Sequence, residues 1–182
     1  MSIVILDAME GRNDISNNLK EKLVQTGEEL SYFELRDMNI LPCRSCGACG
    51  FKSPGKCIFK DDMDEILRAM ANGSTIIMLA PLRFGGYPSS LKKAVDKFAL
   101  MALPSYTVKH GHMVHPSRYG SKMLIGIGVQ GRVSKERAES FKRLVENNAL
   151  NAQFEHKAIV LNASDGMDEI EQAIDDLFKG VC

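Results

Sequence analysis

The 182 residues carry 23 basic and 23 acidic side chains, so the formal charge is zero and no electrostatic footprint for nucleic acid or an anionic membrane surface is present. Hydrophobic residues make up 45% of the chain, enough at this length to bury a full core, yet no apolar run reaches the ~18 residues that a membrane span needs. The opening Met-Ser-Ile-Val-Ile-Leu lacks a basic leader and a cleavage site, and five cysteines without a secretory signal predict a reducing, cytoplasmic setting. There, clustered thiols bind metal, do redox chemistry or stay reduced rather than form disulfides.

Residues 2–6 are a short apolar run without alternation, which predicts a buried parallel strand. A polar loop over residues 7–15 follows, and Ser16 is expected to cap the next helix, whose apolar face is Ile15, Leu19, Leu23 and Val24 and whose end is Gly27. Residues 31–35 read as a second strand. Phe33 and Leu35 alternate with Tyr32 and Glu34, so one face is wet, which suits a sheet edge. After a cysteine-rich loop, Asp61 or Asp62 is expected to cap a helix presenting Met63, Ile66, Leu67 and Met70, stopped by Asn72 and Gly73. Residues 75–80 are continuously apolar and predict the centre of the sheet. Residues 81–88 form a loop with adjacent glycines, and Ser89 or Ser90 opens a helix carrying Leu91, Ala94, Val95 and Phe98.

Residues 101–120 show no clear period and hold His110, His112 and His115. They are read as a lid or dimer-contact segment rather than a metal site, because no carboxylate is spaced to help. Residues 123–129 predict a fourth strand and residues 130–132 a turn. A helix from Ser134 buries Ala138, Phe141, Leu144 and Val145. A fifth strand covers residues 158–161, and a last helix carries Met167, Ile170, Ala173, Ile174 and Leu177. Five strands alternating with five helices predict one α/β domain over residues 1–182, a three-layer α/β/α sandwich whose parallel sheet runs in the order 2-1-3-4-5. In that topology ligands bind beyond the carboxyl ends of the strands, where the winding reverses. Loops 7–16, 81–88, 129–132 and the cysteine loop all emerge on that rim.

Loop 7–16 meets a helix N-terminus, where free N–H groups and the dipole favour an anion. Arg12, Ser16 and Asn17 are candidate donors to a phosphate, against which Asp7, Glu10 and Asp14 bring negative charge. The plainer reading is a strand-to-helix turn with a serine cap. In loop 81–88, Gly85 and Gly86 let a flat ligand approach the backbone, Phe84 or Tyr87 can lie against a ring, and Arg83 can stabilise negative charge on it. The alternative is a flexible loop with a buried Phe.

Three motifs carry a resemblance. One runs from Pro42-Cys43-x-x-Cys46 through Pro54-Gly55-Lys56-Cys57-x-x-Lys60-Asp61-Asp62-Met63. Another is Pro81-Leu82 followed by Leu91-Lys92 and Asp96-Lys97. The third is His115-Pro116-x-Arg118-Tyr119. Together they resemble the flavodoxin-like NAD(P)H-dependent FMN reductases, in the branch with a cysteine-rich loop that is related to iron–sulfur flavoproteins. The resemblance implies FMN held at the strand ends, with its phosphate at Met9, Arg12, Ser16 and Asn17. The ring would lie along Pro81, Leu82, Arg83, Phe84, Gly85 and Gly86, flanked by Val129, Gln130 and Gly131. It implies hydride transfer from NAD(P)H to the flavin and on to a small acceptor or free flavin, and a homodimer. Two departures stand out: Asp7-Ala8-Met9-Glu10 replaces the usual Gly-Ser-Pro start, and Arg83 replaces a tyrosine.

Cys43, Cys46, Cys49 and Cys57 fall within fifteen residues, spaced C-x2-C-x2-C-x7-C. Thiolates are the usual ligands of a [4Fe–4S] cluster, and the x2-x2 spacing lets three of them reach one cube. This keeps open an iron–sulfur flavoprotein that shuttles electrons between carriers. Zinc fits less well, because structural zinc sites commonly draw on two separated pairs. A cluster-free loop of reduced thiols beside the flavin is the other reading, and a flavin-free binding module of the same fold is a further one. Cys182 is incidental.

Overall fold

A computed structural model describes residues 2–11, 13–109, 111–132 and 134–180. In chain order the elements are β1 (Ser2–Asp7), α1 (Asp14–Gln25), β2 (Glu29–Glu34), the short α2 (Ala48–Phe51), α3 (Met63–Asn72), β3 (Thr75–Pro81), α4 (Ser89–Val95), β4 (Thr107–Lys109), β5 (His112–Val114), β6 (Met123–Gln130), α5 (Lys135–Ala152), β7 (Glu155–Asn162) and α6 (Met167–Phe178). Five strands pair in parallel in the order β2-β1-β3-β6-β7, which is the expected 2-1-3-4-5 once the separate antiparallel hairpin β4–β5 is set aside.

The apolar runs fill both faces of this sheet because successive side chains alternate across a strand. Ile3 and Ile5 of β1, Ile77 and Leu79 of β3, and Ile125 and Ile127 of β6 pack with Leu19 and Leu23 of α1 and Ile170 and Ile174 of α6. Val4, Leu6, Ile76, Met78 and Leu124 turn the other way, onto Met63, Ile66 and Met70 of α3, Leu91 and Ala94 of α4, and Phe141 and Val145 of α5. The close seating of α5 depends on a glycine: a Cβ on Gly126 would stand 2.4 Å from Val145 Cγ2. The cavity chemistry is thereby left to the loops at the strand ends.

Several local expectations shift. Asn13, not Ser16, caps α1: its Oδ1 accepts from the Ser16 N–H at 2.8 Å while its Nδ2 donates to Ser16 Oγ at 2.9 Å, so the helix starts earlier. Asp62 stands at the N-cap of α3 without a capping hydrogen bond, while Asp61 Oδ1 accepts from the Met63 N–H at 3.2 Å. Strand β2 begins at Glu29, and the buried Leu35 opens a short 3-10 turn (Leu35–Asp37) instead of ending the strand. Strand β7 starts at Glu155, before the apolar run, because an edge strand tolerates the polar Glu155, His156 and Lys157. Helix α4 gives way to a 3-10 segment (Asp96–Met101) that still buries Phe98. Ala138 and Leu144 of α5 are half-buried, and the fully buried face is Phe141, Val145 and Ala149. Arg12, His110 and Cys182 lie outside the described residues.

Candidate functional site

The carboxyl ends of β1 and β3 set the rim. Asp7, the last residue of β1, is 1% exposed. Its carboxylate accepts from the Met9 N–H at 2.7 Å and from the Tyr32 hydroxyl, which reaches across from β2. Burial, helped by the Asp7 carboxylate, pushes the Tyr32 phenol well above its ordinary value, with the Ser16 hydroxyl pulling the other way. Ser16 is itself buried and bonded to Asn13. The loop after β1 is thus tied inward by Asp7, Tyr32, Ser16 and Asn13. From outside, Arg36 braces it through the Gly11 carbonyl at 3.0 Å.

The expected acidity of this loop is largely engaged. Asp7 is turned inside, and Glu10 pairs with Arg83 of the neighbouring loop, so that one exposed ion pair joins the two loops flanking the reversal of winding. Arg83 therefore meets a protein carboxylate in this state. Next to it, Arg83 and Gly86 exchange backbone hydrogen bonds of 3.0 and 2.9 Å around Phe84 (φ 53°) and Gly85 (φ 80°). Both central residues at positive φ mark a primed two-residue turn. Phe84, at its tip, is 99% exposed, the opposite of the buried Phe considered from sequence.

Other proposed flavin contacts divide by depth. Met9, Leu82 and Val129 are buried in the core. Asn17 is exposed, and Pro81 and Gly86 are half-buried. Gly131 has nothing within 4 Å of where a Cβ would stand. Gln130, closing β6, holds a buried Oε1 that no hydrogen bond satisfies among the described residues. A buried acceptor without a partner is costly and rare, so this oxygen fits a ligand N–H. The open glycine, the orphan acceptor and the flat exposed ring together fit a planar, hydrogen-bonding cofactor such as FMN.

The cysteine loop is held as a closed lobe. Its ends meet where Asp61 accepts from the Leu41 N–H at 2.7 Å and from Met63 at 3.2 Å, while Asp62 accepts from Asn39 at 2.7 Å and returns its own N–H to the Asn39 carbonyl at 3.2 Å. The Asp61 carboxylate also receives the buried Lys97 ammonium. Within the lobe, Ser45 and Gly47 take positive φ and turn the chain on either side of Cys46 before α2. All four thiols are free, and Cys43, Cys46, Cys49 and Cys57 line one cavity of about 320 Å³ with apolar walls from Ile58, Phe59 and Leu100. Burial pushes the Cys49 thiol up, and the other three cysteines add to that rise. Four thiols around one cavity are the donor set that a thiolate-ligated centre requires. Among the described residues, no three Cys, His, Asp or Glu side chains already stand at metal-ligating geometry.

His112 and His115 do not come together as ligands. His112 is exposed on β5, and His115 stacks on Tyr106 at 4.3 Å with its Nδ1 2.9 Å from the Ser105 carbonyl. The contacts that sequence reasoning missed, Asp7 with Tyr32, Glu10 with Arg83 and Asp61 with Lys97, all join residues at least 25 positions apart. Only Asp7 carried a usable signal, as a polar residue closing a buried strand at the reversal point.

Comparison with known proteins gives these features a context. An iron–sulfur flavoprotein of Methanosarcina thermophila is 33% identical over 86 residues, 47% of this chain and 44% of the relative. An iron–sulfur flavoprotein of Methanocaldococcus jannaschii is 37% identical over 75 residues, 41% of this chain and 38% of the relative. The chain thus spans less than half the length of these curated relatives. Among solved structures, an NAD(P)H:quinone oxidoreductase from Methanothermobacter marburgensis superposes with a TM-score of 0.69 at 15% identity, covering 96% of this chain and 93% of that one, which shows the shared flavodoxin-like fold. Residues 10–134, from the loop after β1 to the start of α5, match the family model described as NADPH-dependent FMN reductase, and the chain belongs to that family.

Proposed function

We propose that this chain is a cytoplasmic flavin-dependent oxidoreductase that binds FMN at the strand-end rim and a [4Fe–4S] centre through Cys43, Cys46, Cys49 and Cys57, passing electrons between carriers. The observation that carries this reading is the single cavity lined by all four thiols. For the flavin, the support is the family match, the unpartnered Gln130 Oε1 and the open backbone at Gly131. Bound FMN supplies a ring able to exchange electrons in pairs or singly, and a thiolate-bound cluster exchanges them singly. The chain's own part is placement. The N-terminus of α1, with Met9, Ser16 and Asn17, would hold the phosphate, and Arg12, outside the described residues, is proposed as a further donor to it. The backbone of Pro81, Leu82, Gly85 and Gly86 would hold the ring, Phe84 would cover it, and Arg83 would offer it a positive charge in place of Glu10. Gln130 Oε1 would accept from a ring N–H, with Val129 and Gly131 beside it.

A second reading keeps the flavin without the cluster: NAD(P)H reduces FMN, which reduces a small acceptor or free flavin. It is favoured by the exposure of Cys43 and Cys46 and by the lack of a ready metal geometry among the described residues. In either case we propose a homodimer, because the β4–β5 hairpin exposes Val108 and Met113, each at 72%, beside Tyr106 at 67%.

Protein purified without oxygen and without added cofactor separates these readings. Flavin absorption with a broad brown shoulder, stoichiometric iron and acid-labile sulfide, all but the flavin lost in Cys46→Ser, is expected. Flavin bands alone, with NAD(P)H oxidation, would establish the second reading. Failure of the colourless protein to take up FMN would leave a flavin-free binding module of the same fold and sink both.

A further inference from the structure

The buried Lys97–Asp61 pair has no obvious reason to exist as a stabiliser. Their side chains are 3% and 1% exposed. Desolvating two charges costs about as much as their attraction returns, and apolar residues of equal volume often serve as well. Asp61 has a structural task, since it also accepts the Leu41 and Met63 N–H groups that close the cysteine lobe. Lys97 does not. An ammonium has three N–H donors, and among the described residues Asp61 is its one acceptor. Two donors are left over where water hardly reaches. Lys97 lines the cavity bounded by the four cysteines, and Asp61 is not part of that lining. The other cation there, Arg44, is exposed and stacked on Phe59 at 4.4 Å from the ring centroid.

We propose that Lys97, oriented by Asp61, is the fixed counter-charge and sulfur-directed hydrogen-bond donor of the four-cysteine site, and that it sets how readily the thiolate-bound centre accepts an electron. The inference rests on the iron–sulfur reading of this cavity. Four thiolates concentrate negative charge, and one-electron reduction adds more. A cation held in a low-dielectric wall lowers the free energy of the reduced form more than that of the oxidised form. Hydrogen bonds to the sulfurs act in the same direction, and net charge and such bonds are what tune these potentials. The step adds one electron from an external reductant. No bond is made or broken, and Lys97 keeps its proton throughout.

The test compares the full chain purified anaerobically with Lys97→Arg, Lys97→Met and the double variant Lys97→Met/Asp61→Asn. Iron and acid-labile sulfide are assayed. The reduced fraction is followed by absorption and electron paramagnetic resonance during dithionite titration against dyes of known potential. Lys97→Met is expected to shift the reduction equilibrium at least about tenfold toward the oxidised form, 59 mV for a one-electron couple, while Lys97→Arg stays close to the parent. If Lys97→Met loses its iron, restoration of iron by Lys97→Arg supports the same role, and loss in both variants overturns it. The double variant covers the case in which Lys97→Met strands Asp61 as a buried unpaired carboxylate and fails to fold; there a shift in the same direction is expected, smaller than tenfold because a carboxylate leaves with the ammonium. Equal potentials in loaded parent and loaded variants overturn the inference while leaving the iron–sulfur reading intact. A parent protein without iron and sulfide overturns that reading itself, and the inference with it.

Discussion

Phe84 concentrates two costs in one side chain. Its backbone sits at φ 53°, a region that penalises any residue with a Cβ by about 1–2 kcal/mol, and its ring is 99% exposed, so no burial offsets that strain. Asn, Asp or Gly would make this turn more readily. Strain kept at a loop tip beside a candidate site points to use by a ligand. Phe84→Gly is therefore expected to leave stability unchanged or raise it by up to about 1 kcal/mol, since relief of strain is set against a freer unfolded chain. Loss of the ring face should weaken FMN binding by about 1 kcal/mol. Urea denaturation reads the first effect and fluorescence titration of the apo-protein with FMN the second. A clear stability loss with unchanged FMN affinity would show that the ring serves the fold and not the cofactor.

At the scale of an element, the cysteine loop behaves as a lobe with a stapled neck. The spacing of its cysteines was legible, because short-range ligand spacing is written in consecutive residues. The staple was not. Asp61 and Asp62 precede an apolar helix and have the look of caps, and Asp61 Oδ1 does accept from the Met63 N–H, but its Oδ2 and the Asp62 carboxylate go to Leu41 and Asn39, some twenty positions upstream. A local pattern cannot show that the chain returns there. Ser16 misled for the opposite reason: Asn13, three residues earlier, accepts the N–H of Ser16 itself, so the helix has already begun where Ser16 was expected to cap it. The staple makes an independent prediction. Asp62→Ala removes one exposed link, costing about 0.5–1.5 kcal/mol locally. Trypsin cleavage at Lys52, Lys56 and Lys60 should accelerate by several-fold, while the global urea midpoint moves little. Unchanged cleavage would mean that Asp61 alone closes the neck.

Across the whole molecule, the sheet order and both core faces were legible because strands buried on two sides must be apolar throughout, and β1, β3 and β6 are. The β4–β5 hairpin was not, because its exposed Val108 and Met113 serve no core and so carry no period. Each face of the sheet also holds a tyrosine against it, Tyr32 with the α1–α6 layer and Tyr87 with the α3–α5 layer. Burial pushes the Tyr87 phenol up to about 12, opposed by the hydrogen bond it accepts from Asn148 Nδ2 at 2.9 Å, and Tyr32 is raised as well. A phenol raised in the folded state contributes its full stabilisation below the ordinary tyrosine value of 10.0. Above that value the unfolded chain releases a proton that the folded protein retains, so stability falls as pH climbs toward about 12. Lys122 acts in the opposite sense. Its ammonium is buried against the carbonyls of Ala71 and Gly73 and its pKa is lowered, so the folded protein gives up that proton first and gains stability as pH rises to the ordinary lysine value. The net alkaline slope is a competition, and variants separate its parts. Tyr87→Phe and Tyr32→Phe should each flatten the fall of urea stability above pH 10 by up to one proton, with the loss at neutral pH confined to the hydrogen bond each hydroxyl makes. Lys122→Met should steepen it. A Tyr87→Phe profile that stays parallel to the parent between pH 10 and 12 would show that this phenol ionises in the folded protein as it does in the unfolded chain.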